Sequence, residues 1–174
     1  MNRLRNLSIR GRLALIFILP VIGMVTLAVV VVADTWRTAA EMERLQGMAR
    51  TATRASDLVH EIQKERGMTA GFLGSEGERF GEALKEQRGR TDQRLKALRD
   101  YLAGRARGLP QEGPVAEALG RLKALQARRE AIDGLALPLG EALGYYTGIN
   151  TRLLDAIAAM PRMTSNATIG NQTT

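Results

Sequence analysis

Twenty-one consecutive residues without a charge, Leu13 to Ala33 (LALIFILPVIGMVTLAVVVVA), constrain this chain more than any other feature. At about 1.5 Å per residue, a helix of that length crosses roughly 30 Å, the hydrocarbon thickness of a bilayer. Arg3, Arg5, Arg10 and Arg12 precede the run, and no acidic residue does. Basic residues stay on the cytoplasmic side of a span, so residues 1–12 are expected in the cytoplasm and the chain after Asp34 outside. Pro20 would kink such a helix without abolishing it. A cleaved signal peptide is the rival reading, with Val31-Val32-Ala33 as a small-residue cleavage site. The run exceeds the roughly 7–15 apolar residues of a signal core, which favours an uncleaved anchor at 13–33.

About 140 residues follow the span, enough for one domain. The net charge is +7, but setting aside the four N-terminal arginines leaves 21 basic against 18 acidic residues, a net +3. The basicity is therefore mostly a topology signal. No basic block with interleaved aromatics occurs, so no nucleic-acid partner is expected. The chain has no cysteine, which removes disulfides and thiolate metal sites. Its one histidine, His60, lies one residue off an apolar stripe and reads as a solvated helix-face residue rather than a metal ligand. There is no phosphate-binding glycine loop, and no nucleophile has a base nearby in sequence. No enzyme activity and no cofactor are expected.

Ala, Leu, Glu, Arg and Gln dominate the remainder, and apolar residues recur at spacings of three and four. Leu45, Met48, Ala52, Ala55, Val59, Ile62, Thr69 and Leu73 form one stripe on a long amphipathic helix that continues from the span and ends among Gly71, Gly74 and Gly77. Phe80, Leu84, Thr91, Leu95, Leu98 and Leu102 form a second. Gly104 to Pro114 reads as an exposed turn. Val115, Leu119, Leu122, Leu125, Ile132 and Ala136 form a third, bounded by Pro138, and Leu139, Leu143, Tyr146, Ile149, Leu153 and Ile157 a fourth. No alternating strand pattern competes. Isolated stripes of this kind are unstable in water and must bury one another. The expected architecture is all-α: an N-terminal transmembrane helix, then an up-and-down antiparallel four-helix bundle over 34–162, then a polar tail at 163–174. No second apolar span returns the chain to the cytoplasm, so the reading is of a fragment or of a chain that signals through a partner.

Three arginines interrupt the stripes. Arg66 falls between Ile62 and Thr69, Arg88 between Leu84 and Thr91, and Arg129 between Leu125 and Ile132. A guanidinium facing a bundle core costs several kcal/mol unless paired. None of the stripe positions carries an acid, so inward arginines would form a cavity that wants an anion. The planar guanidinium fork suits a carboxylate or another planar oxyanion. Against this, long arginine side chains often extend from a seam edge into water, and Glu61, Glu65 and Asp133 are close enough in sequence to neutralise them.

Residues Leu58 to Gly77 (LVHEIQKERGMTAGFLGSEG), followed by Phe80, resemble the opening motif of the nitrate- and nitrite-sensing (NIT) domain. Gln87-Arg88 with Thr91-Asp92, Arg129 to Asp133 (REAID) and Tyr145 to Leu154 (YYTGINTRLL) resemble the elements that follow, in the family's order. The resemblance implies an all-helical sensory domain that binds nitrate or nitrite outside the membrane in bacterial chemoreceptors and sensor kinases. It assigns anion recognition to Arg66; Arg88 and Arg129 stay ligand-binding candidates on the stripe pattern alone. The family domain holds about twice this many helices, so the resemblance covers its first half. The expected protein is then a signalling receptor of the bacterial inner membrane, homodimeric by analogy, with its bundle in the periplasm. A membrane-anchored scaffold or dimerisation bundle with no small ligand is the alternative, as is the same fold sensing another anion.

Overall fold

The computed structural model describes residues 9–105 and 112–170, with side chains except at 9, 11–16, 105, 112–113 and 161–170. Arg3, Arg5, the middle of the expected turn after Gly104 and the end of the polar tail lie outside the described residues, as does the side chain of Arg12. Every regular element among the described residues is helical. They are α1 (Ile9–Gly74), α2 (Gly81–Arg105), α3 (Glu112–Arg121), a 3-10 turn (Leu122–Ala124), α4 (Leu125–Asp133) and α5 (Leu139–Gly170).

The chain divides into two compact units, 1–46 and 47–174. In the first, α1 is long and apolar enough to cross a membrane. Its apolar side chains from Phe17 to Val32 face outward rather than into protein. The hydroxyls of Thr26 and Thr35 return to the carbonyls of Ile22 and Val31 at 2.8 Å. A polar side chain satisfied by its own helix can sit where water is absent.

The second unit holds the core. Leu58 and Ile62 of α1, Leu84 and Leu98 of α2, Val115 of α3, Ile132 of α4 and Tyr146 and Leu153 of α5 are almost fully buried. Each aliphatic burial of this kind contributes about 1.5–3 kcal/mol. The four stripes supply most of the core. Leu45, Phe80, Ala136 and Leu139 do not join it and are exposed, and Leu137 takes the buried place expected of Ala136. The expected third helix is broken by the 3-10 turn, and the geometry explains why. Side chains three residues apart eclipse in a 3-10 turn, which keeps both Leu122 and Leu125 buried.

The helix ends follow from backbone chemistry. At the end of α1 the amide of Glu76 donates to the Leu73 carbonyl (3.1 Å) and that of Gly77 to the Phe72 carbonyl (2.9 Å). This is a Schellman cap, and Glu76 occupies its left-handed position at φ 55°. Gly71 stays inside the helix for a different reason. A Cβ there would lie 2.6 Å from two ring carbons of Phe80, so only glycine lets that ring close over α1. Leu135, at φ 53°, plays the part of Glu76 at the end of α4, with its amide on Ile132 (2.9 Å) and that of Ala136 on Ala131 (2.8 Å). Pro138 follows at once, and its carbonyl accepts the Ala142 amide at 3.0 Å, opening α5. The polar tail expected from 163 continues α5 as far as Gly170.

Candidate functional site

The buried line of α1 passes from Ile62 to Thr69 through Glu65, not through Arg66. The seam therefore does carry an acid. Glu65 is fully buried and accepts three hydrogen bonds: Arg129 Nε at 2.8 Å, Arg129 Nη2 at 2.9 Å and the Tyr146 hydroxyl at 2.8 Å. Arg129 is itself buried and gives its remaining Nη1 to Asp92 at 2.8 Å. Two carboxylates thus hold every nitrogen of this guanidinium. Burial opposes its charge, but the hydrogen bonds and negative charges of Glu65 and Asp92 outweigh that and hold it more firmly protonated than in water. The Tyr146 hydroxyl is pushed well above the usual phenol range, first by burial and then by the charge of Glu65. A buried pair of this kind is strongly destabilising to break, because removing one member strands the other.

One turn earlier on α1, Glu61 meets α2. Gln87 Nε2 donates to its carboxylate at 2.6 Å and to its backbone carbonyl at 3.2 Å. The Gln87 bond is the main reason the Glu61 carboxyl sits below the ordinary carboxylate range; partial burial opposes it, and Lys64 at 3.1 Å reinforces it.

The other two arginines flank the buried pair. Arg66 is half-buried on the α5 side, and its Nη1 donates to Thr147 Oγ1 at 3.0 Å. Among the described residues it pairs with no carboxylate. Arg88 lies on the α4 side, with its side chain 14% exposed and its Nη1 on Asp133 Oδ2 at 2.8 Å. Its Nε and Nη2 are buried and meet no partner. A buried donor left unmade costs about 1–3 kcal/mol. Thr69 Oγ1, Gln87 Oε1 and both polar atoms of Asn150 are in the same condition.

The three expected arginines therefore surround one polar layer but differ in what they have left to give. Arg129 has no open edge, Arg66 has open donors facing a hydroxyl, and Arg88 has a whole edge unused. Glu65 and Asp92 belong to the layer and lie on none of the stripes; Tyr146, expected on the fourth stripe as a core position, also serves the layer through its hydroxyl. Among the described residues no group of three or more His, Cys, Asp or Glu side chains could hold a metal ion. The arrangement can bind and hold charge; it offers no attacking group.

Each sequence element of the NIT resemblance delivers a part of this layer: Glu65 and Arg66 from the first, Arg88 and Asp92 from the second, Arg129 and Asp133 from the third, Tyr146 and Thr147 from the fourth. No curated protein and no solved structure matches the chain. The family model described as nitrate and nitrite sensing matches residues 57–174, the part of the chain that contains all four elements. On that match, covering well over half of its length, the chain belongs to the NIT family of nitrate- and nitrite-sensing domains.

Proposed function

We propose that this chain is the anchored sensory part of a receptor that reads nitrate or nitrite through Arg66. Residues 13–33 would lie in the bacterial inner membrane, with 1–12 in the cytoplasm and 34–162 forming a periplasmic sensory domain. The NIT match supports the ligand class, and the one candidate span among the described residues and the arginines before it in the sequence support the topology. An up-and-down antiparallel bundle fits the order of the cross-links. Tyr101 reaches Gly47 while Gln87 reaches Glu61, and Arg88 reaches Asp133 while Arg129 reaches Asp92. In each pair one helix ascends as the other descends.

The observation that carries the reading is the state of Arg66. It sits in the QKERG element, half-buried beside a fully neutralised ion pair, and holds only a neutral hydroxyl. A planar anion would complete it. Arg129 then acts as a positioning residue: it fixes Glu65, and through Glu65 the turn of α1 that carries Arg66. Binding would bias the membrane helix by favouring one arrangement of α1 against α5 over another. A homodimer would place two such helices side by side.

The test is calorimetric titration of the full chain in lipid nanodiscs with nitrate and nitrite at constant ionic strength. Saturable heat that falls at least tenfold in affinity in Arg66→Gln is expected. Unchanged affinity in that variant refutes the assignment. Absence of any heat in the wild type favours the scaffold reading.

A further inference from the structure

Outside the buried layer, α5 lays a bare face beside α3 and α4. Gly144 and Gly148 lie one turn apart on it, and a Cβ at either would meet nothing within 4 Å. Without side chains there the helix leaves space against its neighbours, and a cleft of about 350 Å³ runs between α5 and the α3–α4 wall. That volume falls within the roughly 300–1,000 Å³ of small-molecule sites. The cleft is lined by Arg121, Arg128 and Arg152 and by no acidic residue. Glu141 reaches Arg128 Nη1 but is not part of the lining. Among the described residues Arg121 and Arg152 form no ion pair with a carboxylate. Cations gathered without counter-charges between low-dielectric walls focus a positive potential into the space they share.

The three guanidinium groups are strung along the cleft rather than aimed at one point. Arg128 pairs with Glu141, the Tyr145 hydroxyl donates to the Arg121 carbonyl at 3.1 Å, and Arg152 shares a smaller recess with Pro114 and Ala118. As α5 runs from 141 to 152, the opposite wall therefore runs from 128 back to 114. Arg128 and Arg152 stand toward opposite ends, with Arg121 between them. From Gly144 to Arg152 the α5 wall advances about 12 Å at 1.5 Å per residue. Between the charges the lining is Ile149 and the Tyr145 ring. That ring is fixed: its hydroxyl is bonded across to the end of α3, and it meets Tyr146 edge to face with the centres 5.7 Å apart. The Arg128 guanidinium lies over it, 5.6 Å from its centre.

We infer that this cleft binds a small organic dianion, two carboxylates separated by an apolar chain. One carboxylate is held by Arg152 and Arg121, the other by the part of Arg128 that Glu141 leaves open, and the chain lies on Ile149 and Tyr145. A planar carboxylate matches the guanidinium fork at each end. A phosphate fits less well, because it draws several donors onto one point and these cations are spread out. Nitrate carries one charge and is too short to meet cations at both ends. The site is separate from the Arg66 position and does not rest on the sensing reading.

The experiment is fluorine NMR of the full chain in lipid nanodiscs, with its three tyrosines replaced by fluorotyrosine. The Tyr145 signal is identified by its loss in Tyr145→Phe. The probes are succinate, adipate and suberate, with hexanoate and nitrate as controls at equal ionic strength. The expected result is a saturable shift of the Tyr145 signal with at least one dicarboxylate, at least tenfold tighter than with hexanoate. It should survive Arg66→Gln and weaken at least tenfold in the double variant Arg121→Gln, Arg152→Gln. Gly148→Leu fills the cleft without touching a charge. Nothing crowds that position, and leucine is a better helix former than glycine, so the melting temperature should not fall while the shift is lost. A shift that hexanoate or nitrate reproduces at the same concentration would overturn the proposal. So would binding that is unchanged in Gly148→Leu or in the double arginine variant, or a Tyr145 signal that none of the three dicarboxylates moves. Loss of the shift in Arg66→Gln would put the anion in the buried layer instead and overturn it as well. Failure of nitrate to bind through Arg66 leaves each of these outcomes as stated, so the two readings stand or fall separately.

Discussion

Replacing Glu65 by glutamine should be the most destabilising conservative change in the second unit. The carboxylate accepts two bonds from Arg129 and one from Tyr146 while fully buried. Glutamine keeps the shape and one acceptor oxygen, which in the place of Oε1 still accepts from both Arg129 Nε and the Tyr146 hydroxyl. Its amide nitrogen is then forced against Arg129 Nη2, donor against donor. Arg129 keeps one carboxylate partner, Asp92, whose side chain is 55% exposed. Breaking a buried pair by removing one partner costs about 3–5 kcal/mol, and the retained acceptor places Glu65→Gln near the lower end, about 3 kcal/mol. For a unit of this size each kcal/mol lowers the melting temperature by about 3–5 °C, so a fall of about 10–15 °C is expected. Urea unfolding of the chain in nanodiscs, followed by circular dichroism, measures the loss directly. The denaturant slope should stay constant if only stability has changed. The triple variant Glu65→Leu, Arg129→Met, Tyr146→Phe supplies the control. It removes both charges and the stranded hydroxyl, and should recover most of the loss, since apolar replacements of buried pairs are often neutral or better. A Glu65→Gln variant within about 0.5 kcal/mol of the wild type would refute the buried pair. So would a triple variant that merely adds up the single losses, because members of one network do not act independently.

Two further outcomes test the structure elsewhere. Gly71→Ala should cost about 1–3 kcal/mol, because its methyl would meet the Phe80 ring at 2.6 Å; added to Phe80→Ala it should cost far less, and a thermal-melt double-mutant cycle reads the coupling. Glu61 titrates below its ordinary 4.5 chiefly because of Gln87, so its contribution is present above pH 4.5 and is lost as pH falls through the lowered value. Gln87→Leu should therefore be less stable than the wild type at pH 7 by urea titration, with the gap narrowing below about pH 4; a gap that is flat with pH would refute the linkage.

The helices were legible in the sequence because each stripe repeats often enough for its mean direction to be well defined. Individual positions inside a seven-residue gap were not. Between Ile62 and Thr69, residues 65 and 66 deviate by about 50° to either side of the stripe at 100° per residue, and the same holds for 87 against 88 and for 128 against 129. Periodicity cannot choose between them. What chooses is the element packed opposite, which lies tens of residues away. Arg129 turned inward, where Glu65 and Asp92 could meet it; Glu65 then took the inward place on α1 and pushed Arg66 to the flank. On α2 the neutral Gln87 turned inward toward Glu61 and left Arg88 beside the seam. The sequence did hold one clue: the ambiguous pair on α1 contains an acid, and a buried arginine needs one. An arginine on the seam is thus the one most completely neutralised by its own protein. The arginines beside the seam take what is left: among the described residues Arg66 is held by the Thr147 hydroxyl and Arg88 by Asp133, because the carboxylates that reach the seam itself are already taken by Arg129.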